Sequence, residues 1–193
     1  MDLESIAKVL GARFEIVAKD GARALKQLGL PGQAKILDVG TGSGNFAIFL
    51  ASEGYEVVTG EPSTDTSQYA RRDWALNAEK AGVRDKIRFE SFDASRMPFE
   101  TESFEAVCFF GVLHHIDEDV RGDVFREALR VVKKNGAVVF FEPREEMLHL
   151  VRADDPSHPP AAKPSEYLPD PSTREERIEG DFMNIHIYRK SMD

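Results

Sequence analysis

One cysteine in 193 residues leaves no internal disulfide to staple the chain. Cys108 lies within an apolar run, where a packing role is expected. Basic charge is also scarce, with 25 lysines and arginines against 34 acids, a net charge of −9. No basic stripe is visible, so nucleic acid is not an expected partner. Long hydrophobic runs are missing. Stretches such as Ala137–Phe141 are far too short to cross a bilayer, so no membrane partner is expected either. The start, Met1-Asp2-Leu3-Glu4, lacks the basic and apolar regions of a secretory leader. These absences lead to an expectation of a cytoplasmic protein with one ordinary core.

What is present is an alternation of apolar strands and amphipathic helices. Residues 2–29 carry apolar groups at three-and-four spacing, which predicts a helix interrupted or bent near Gly11 and Gly21. Strands are expected near 34–39, 55–60, 86–91, 104–110 and 136–142, and helices near 44–53, 65–81 and 120–133. Gly54, Gly82 and Gly136 read as helix-end signals. Such alternation predicts a mostly parallel sheet covered by helices on both faces. Seven of the ten prolines fall between 143 and 171, which predicts an extended arm over 144–180 with a turn or two of helix at 144–152. A last strand follows, with Met183, Ile185 and Ile187 on one face and Phe182, His186 and Tyr188 on the other. The expected organisation is one domain: a helical segment 1–33, a core 34–143, the arm 144–180 and the final strand 181–193.

The most telling segment is Ile-Leu-Asp-Val-Gly-Thr-Gly-Ser-Gly-Asn at 36–45. A strand, a glycine turn and a helix start make a cradle into which a ligand can come close. The dinucleotide pattern Gly-x-Gly-x-x-Gly would need glycine at 45, where Asn45 stands; that disfavours a nicotinamide oxidoreductase without removing it. No Gly-Lys-Ser/Thr follows, which excludes a Walker loop. A plain tight turn stays open. In parallel sheets ligands bind beyond the carboxyl ends of the strands, and three acids stand there: Asp38, Glu61 (twenty-one residues after Gly40) and Asp93. Each also has a bland reading, as loop acceptor, turn residue or cap.

The ordered blocks Ile-Leu-Asp-Val-Gly-Thr-Gly-Ser-Gly, Glu-Val-Val-Thr-Gly-Glu-Pro-Ser, Asp-Ala-Ser-Arg-Met-Pro-Phe, Val-Leu-His-His-Ile and Glu-Ala-Leu-Arg-Val-Val-Lys-Lys-Asn-Gly span 34–143. Together they resemble the class I S-adenosylmethionine-dependent methyltransferases, in particular the small-molecule "type 11" group. The resemblance implies a doubly wound, Rossmann-like α/β fold with an antiparallel last strand. It implies S-adenosylmethionine held at Asp38, Gly40, Thr41, Gly42, Gly44, Glu61, Pro62, Asp93, Ala94, Phe110 and Gly111, and a small-molecule acceptor. A non-catalytic S-adenosylmethionine-binding regulator is the alternative. The strand-two acid, often Asp in the family, is here Glu61. Only one of the two usual final strands is legible, so the edge of that strand is expected to be covered by the arm or by a second subunit, as in a homodimer.

His114 and His115 are the candidate proton acceptors, with Tyr167 a third. Adjacent histidines on an extended segment face opposite ways, and no third ligand stands at a recognisable spacing, so no metal site is expected.

Overall fold

A computed structural model of the chain describes residues 1–70 and 73–190. The N-terminal segment forms two helices, α1 (Leu3–Leu10) and α2 (Ala12–Leu28). Asp2 caps the first by accepting the Ser5 N–H at 2.8 Å. Gly11, at φ 85°, makes the break between them. The bend expected at Gly21 does not occur, and α2 runs through it. A Cβ at Gly21 would lie 2.5 Å from the Phe49 ring. The glycine there admits a neighbouring helix and does not end its own.

The core alternates as its pattern dictates: β1 (Lys35–Val39), α3 (Asn45–Ser52), β2 (Glu56–Gly60), α4 (Trp74–Lys80), β3 (Ile87–Phe89), β4 (Phe104–Phe110), α5 (Arg121–Val131) and β5 (Val132–Pro143). Two boundaries depart from expectation. Within the predicted helix 65–81, residues 71–72 lie outside the described residues, and only 74–80 are helical. Asp65 instead takes the Ser67 N–H at 2.8 Å, a local turn that competes with helix. Gly136 lies inside β5, not at a helix end. A Cβ there would stand 2.5 Å from the Glu105 carbonyl, so a side chain is excluded by the adjacent strand.

The proline-rich span is more ordered than an arm. It holds α6 (Glu145–Asp154), a 3₁₀ turn (Pro164–Tyr167) and β6 (Arg174–Glu179), and the chain then returns as β7 (Met183–Arg189). The last three residues of the expected final segment, 191–193, lie outside the described residues. The seven-stranded sheet has the order β3-β2-β1-β4-β5-β7-β6. β3 through β5 pair in parallel. β7 runs antiparallel between β5 and β6. The second final strand therefore exists. Its sequence, Arg-Glu-Glu-Arg-Ile-Glu, carries almost no apolar signal, which hid it. The edge of β7 is covered by this chain's own β6.

Strand residues alternate between two cores. Ile36, Val57, Ala106, Val139, Phe141, Ile185 and Ile187 pack on the side of α1–α4. Leu37, Val58, Val107, Phe109, Val138, Phe140 and Tyr188 pack on the side of α5. Cys108 is buried in the first core, in the packing role expected of it. Phe182 precedes β7 and packs against the first core, not on the opposite face. The β6–β7 turn is fastened to α2. Asp20, fully buried, accepts the backbone N–H groups of Asp181, Phe182 and Met183 at 2.7, 2.9 and 2.8 Å. The strand order reverses at β1, between β2 and β4, and that reversal opens a crevice at the carboxyl ends of these strands.

Candidate active site

A cavity of about 920 Å³ occupies that crevice, within the range that holds a small ligand. The end of β1 supplies its floor. Gly40, Gly42 and Gly44 have φ of 91°, 49° and 80°, values that L side chains rarely take. Glu61, at the end of β2, is almost fully buried and accepts the Gly42 N–H at 3.0 Å. Pro62, Phe92, Asp93 and Ala94 continue the wall. Asp93 Oδ1 accepts both the N–H and the hydroxyl of Ser95 at 2.8 Å, a turn that fixes the carboxylate at the rim. Phe110 and Gly111 close the far side, with the Gly111 N–H donating to the Phe141 carbonyl at 2.8 Å.

Two expected cofactor residues do not reach the cavity wall: Asp38 and Gly44. Gly44 starts α3, and a Cβ on it would stand 2.9 Å from Trp74 Cβ. Asp38 is buried beneath the loop. Its Oδ2 accepts the Thr59 hydroxyl at 2.8 Å, and Thr59 in turn meets the Thr41 hydroxyl at 2.9 Å. Thr41 lines the cavity, so Asp38 reaches the site through two hydroxyls. Burial pushes its carboxyl up to about 7; the Thr59 bond opposes this and the charge of Glu61 adds to it.

The other half of the cavity comes from distant segments. α2 contributes Arg13, Ile16 and Val17, and α6 contributes Met147, Leu150 and Val151. His114 and His115 line it, but on a 3₁₀ turn (Leu113–His115) and not on an extended segment. That turn overrules the opposed directions expected for them, because their ring centroids lie 4.3 Å apart. The missing third histidine is also present. His158, from the proline-rich span, lies 5.0 Å from the His114 ring and 4.8 Å from that of His115. One ring nitrogen from each of the three lies within 4.8 Å of the others. His114 Nδ1 meets Glu142 Oε2 at 2.9 Å, and that same oxygen accepts the Ala162 N–H at 2.8 Å. Desolvation of the ring by the side chains packed on it, then the neighbouring His114 and His158, lowers His115 to about 4, although the residue keeps an exposed side; it is neutral near pH 7. Tyr69 lies against His115, with its hydroxyl donating to Asp155 at 2.5 Å. Tyr167 lies away from the cavity wall and accepts from Arg121 at 2.9 Å, so it is not a base for this site.

Comparison with known proteins bears on this arrangement. A family profile described as "Methyltransferase domain" matches residues 36–136, more than half of the chain. The chain belongs to that family. It is the class I, S-adenosylmethionine-dependent group that the glycine loop resembles. Among curated relatives, the 27-O-demethylrifamycin SV methyltransferase of Amycolatopsis mediterranei (strain S699) is 34% identical over 102 residues, covering 53% of this chain and 36% of that one. The demethylmenaquinone methyltransferase of Clavibacter sepedonicus is 31% identical over 131 residues, covering 68% and 50%. The chain thus spans half or less of the length of these two relatives. Among solved structures, a candidate S-adenosyl-L-methionine-dependent methyltransferase from Methanococcus maripaludis superposes with a TM-score of 0.74 at 18% identity, covering 97% of this chain and 90% of that one. That likeness extends the shared fold to the α6–β7 region beyond the family match.

Proposed function

We propose that the protein transfers the methyl group of S-adenosylmethionine to a small-molecule acceptor. One observation carries the reading: the glycine loop with Glu61 and Asp93 shares a single cavity with a partly apolar second wall from α2, α6 and the histidines. Both reactants therefore have room within reach of each other. The residues fit the cofactor. The positive-φ loop lets backbone come close, Glu61 stands where a ribose diol can donate to it, and Asp93 stands where an exocyclic amine can. The relatives named for demethylrifamycin and demethylmenaquinone support an acceptor that is a small molecule.

When bound, the cofactor supplies an electrophilic methyl on a sulfonium, whose positive charge disperses in the transition state. A carboxylate beside the sulfur would favour the ground state, so the roles of Glu61 and Asp93 are at the ribose and the adenine and not at the methyl. Glu61 and Asp93 bind and orient, and the apolar wall excludes water. Where the acceptor carries a proton, His114, aligned through Nδ1 by Glu142, is the group held in place to take it. Calorimetry with S-adenosylmethionine, adenosylhomocysteine and NAD tests the cofactor; the first two are expected to bind and NAD not, and the reverse overturns the reading. Incubation with methyl-labelled S-adenosylmethionine and a metabolite extract should yield adenosylhomocysteine together with a labelled product.

A further inference from the structure

The histidine cluster is more than a family strand end. His114 and His115 come from the turn after β4, while His158 arrives from the proline-rich span more than forty residues later. All three line the same cavity as the glycine loop. Two of the three are already aligned. His114 Nδ1 is engaged by Glu142 Oε2 at 2.9 Å, and His158 Nδ1 lies 3.0 Å from the Pro159 carbonyl. A carbonyl only accepts, so His158 must carry its proton on Nδ1, leaving Nε2 with a bare lone pair. A carboxylate behind His114 favours the same tautomer. An outer acceptor on the far nitrogen is the arrangement that metal-bound histidines show.

Glu142 adds an independent sign. Its side chain is 1% exposed, and among the described residues Oε1 has no hydrogen-bond partner. A buried carboxylate left with half of its acceptor capacity unmet is costly unless positive charge stands nearby. A cation on His114 would supply that charge through the ring.

We propose that His114, His115 and His158 bind one divalent transition-metal ion, zinc or a metal of similar preference, with an open position toward the cavity. Three neutral imidazoles without a thiolate, and a fourth place left free, is the donor set of reactive zinc sites. The nitrogens lie within 4.8 Å of one another. A tetrahedral ion with bonds of about 2.0–2.1 Å brings them to roughly 3.3 Å. His115 is the exposed member of the three and the least confined by its surroundings. The free position suits an acceptor bearing an ionisable oxygen or sulfur: a phenol, an enol or a thiol. Binding there releases the acceptor's proton to solvent. The oxygen or sulfur then forms its bond to the methyl carbon, the carbon–sulfonium bond breaks, and its electron pair remains on the sulfur of adenosylhomocysteine. The ion would thus replace His114 as the means of deprotonation.

Metal binding is read without any methyl transfer, so its failure is separable from failure of the proposed function. Chelator-treated protein is titrated with Zn²⁺ by calorimetry and with Co²⁺ by visible absorption. One ion per chain is expected, with the intense d–d bands of four-coordinate Co²⁺ bleached by Zn²⁺. His158→Ala should weaken Zn²⁺ at least tenfold, and Glu142→Gln by 10–100-fold. His149→Ala, an exposed histidine on α6, should leave affinity unchanged. Far-UV circular dichroism confirms that each variant is folded. No stoichiometric binding, or stoichiometric binding that His158→Ala leaves intact, overturns the site.

Discussion

The two walls of the cavity are built on opposite plans. The wall built on the glycine loop is nearly contiguous: a strand end, a turn, the start of a helix and the segments after the next two strands, all within 39–94. Its side chains are placed by backbone that has little freedom. The second wall draws on α2, the turn after β4, α6 and the segment through His158, elements spread over almost the whole chain. There the side chains are placed by contacts between segments. A wall set by backbone should resist substitution abruptly. One set by packing should yield by degrees.

The sharpest test of the first plan is Gly60→Ala. A Cβ there would stand 1.9 Å from the Glu90 carbonyl oxygen and 2.5 Å from the Phe92 ring. Backbone in a paired strand cannot give way, so we expect a loss of about 3 kcal/mol or more in denaturant unfolding. A change below about 1 kcal/mol would mean that the strand ends are looser than drawn. Asp20→Ala tests the fastening of the second plan. It orphans three backbone N–H groups at the β6–β7 turn, for an expected loss on the order of 3 kcal/mol. Cofactor affinity of the folded fraction should not move. If it does, the walls are coupled.

Glu61→Ala should separate binding from stability. Cofactor affinity is expected to fall by about 1–3 kcal/mol, the effect of leaving hydrogen-bonding partners unmatched, with a much smaller change in melting temperature. Asp38 acts below the wall and should reveal itself through pH. Its folded carboxyl sits at about 7 against an ordinary 3.8, so the folded chain holds a proton that the unfolded chain releases. The stability from this group is complete below about pH 4 and is lost as pH rises through 7, at up to about 1.4 kcal/mol per pH unit. Asp38→Asn should flatten that slope in urea titrations across pH 4–7. The smallest effect is expected at Leu150, which lines the cavity while 59% exposed. Leu150→Ala should alter stability by less than about 0.5 kcal/mol.

The contrast also explains what could be read from sequence. Period-2 strands and glycine signals are local, so Ile36–Gly44, Glu61 and Asp93 were legible without coordinates. Asp38 was legible as a residue but not in its position, since its role depends on a hydroxyl of Thr59 twenty-one residues away. His158 gave no signal at all, being one histidine in a proline-rich span. The directions of His114 and His115 turned on a three-residue 3₁₀ turn that no periodicity announces. β6 escaped because a strand whose side chains are nearly all in water has no apolar face to betray it.

That charged strand bears on how the chain reaches its native form. β6 and β7 are neighbours in sequence, joined by a three-residue turn, whereas β5 lies some forty residues upstream of β7. A local hairpin closes before a distant pairing does. The greasy strand thus reaches the half-made sheet with an escort of arginines and glutamates already on its outer flank. During synthesis, when nascent chains crowd together, the edge on offer to other molecules is one they have little reason to extend.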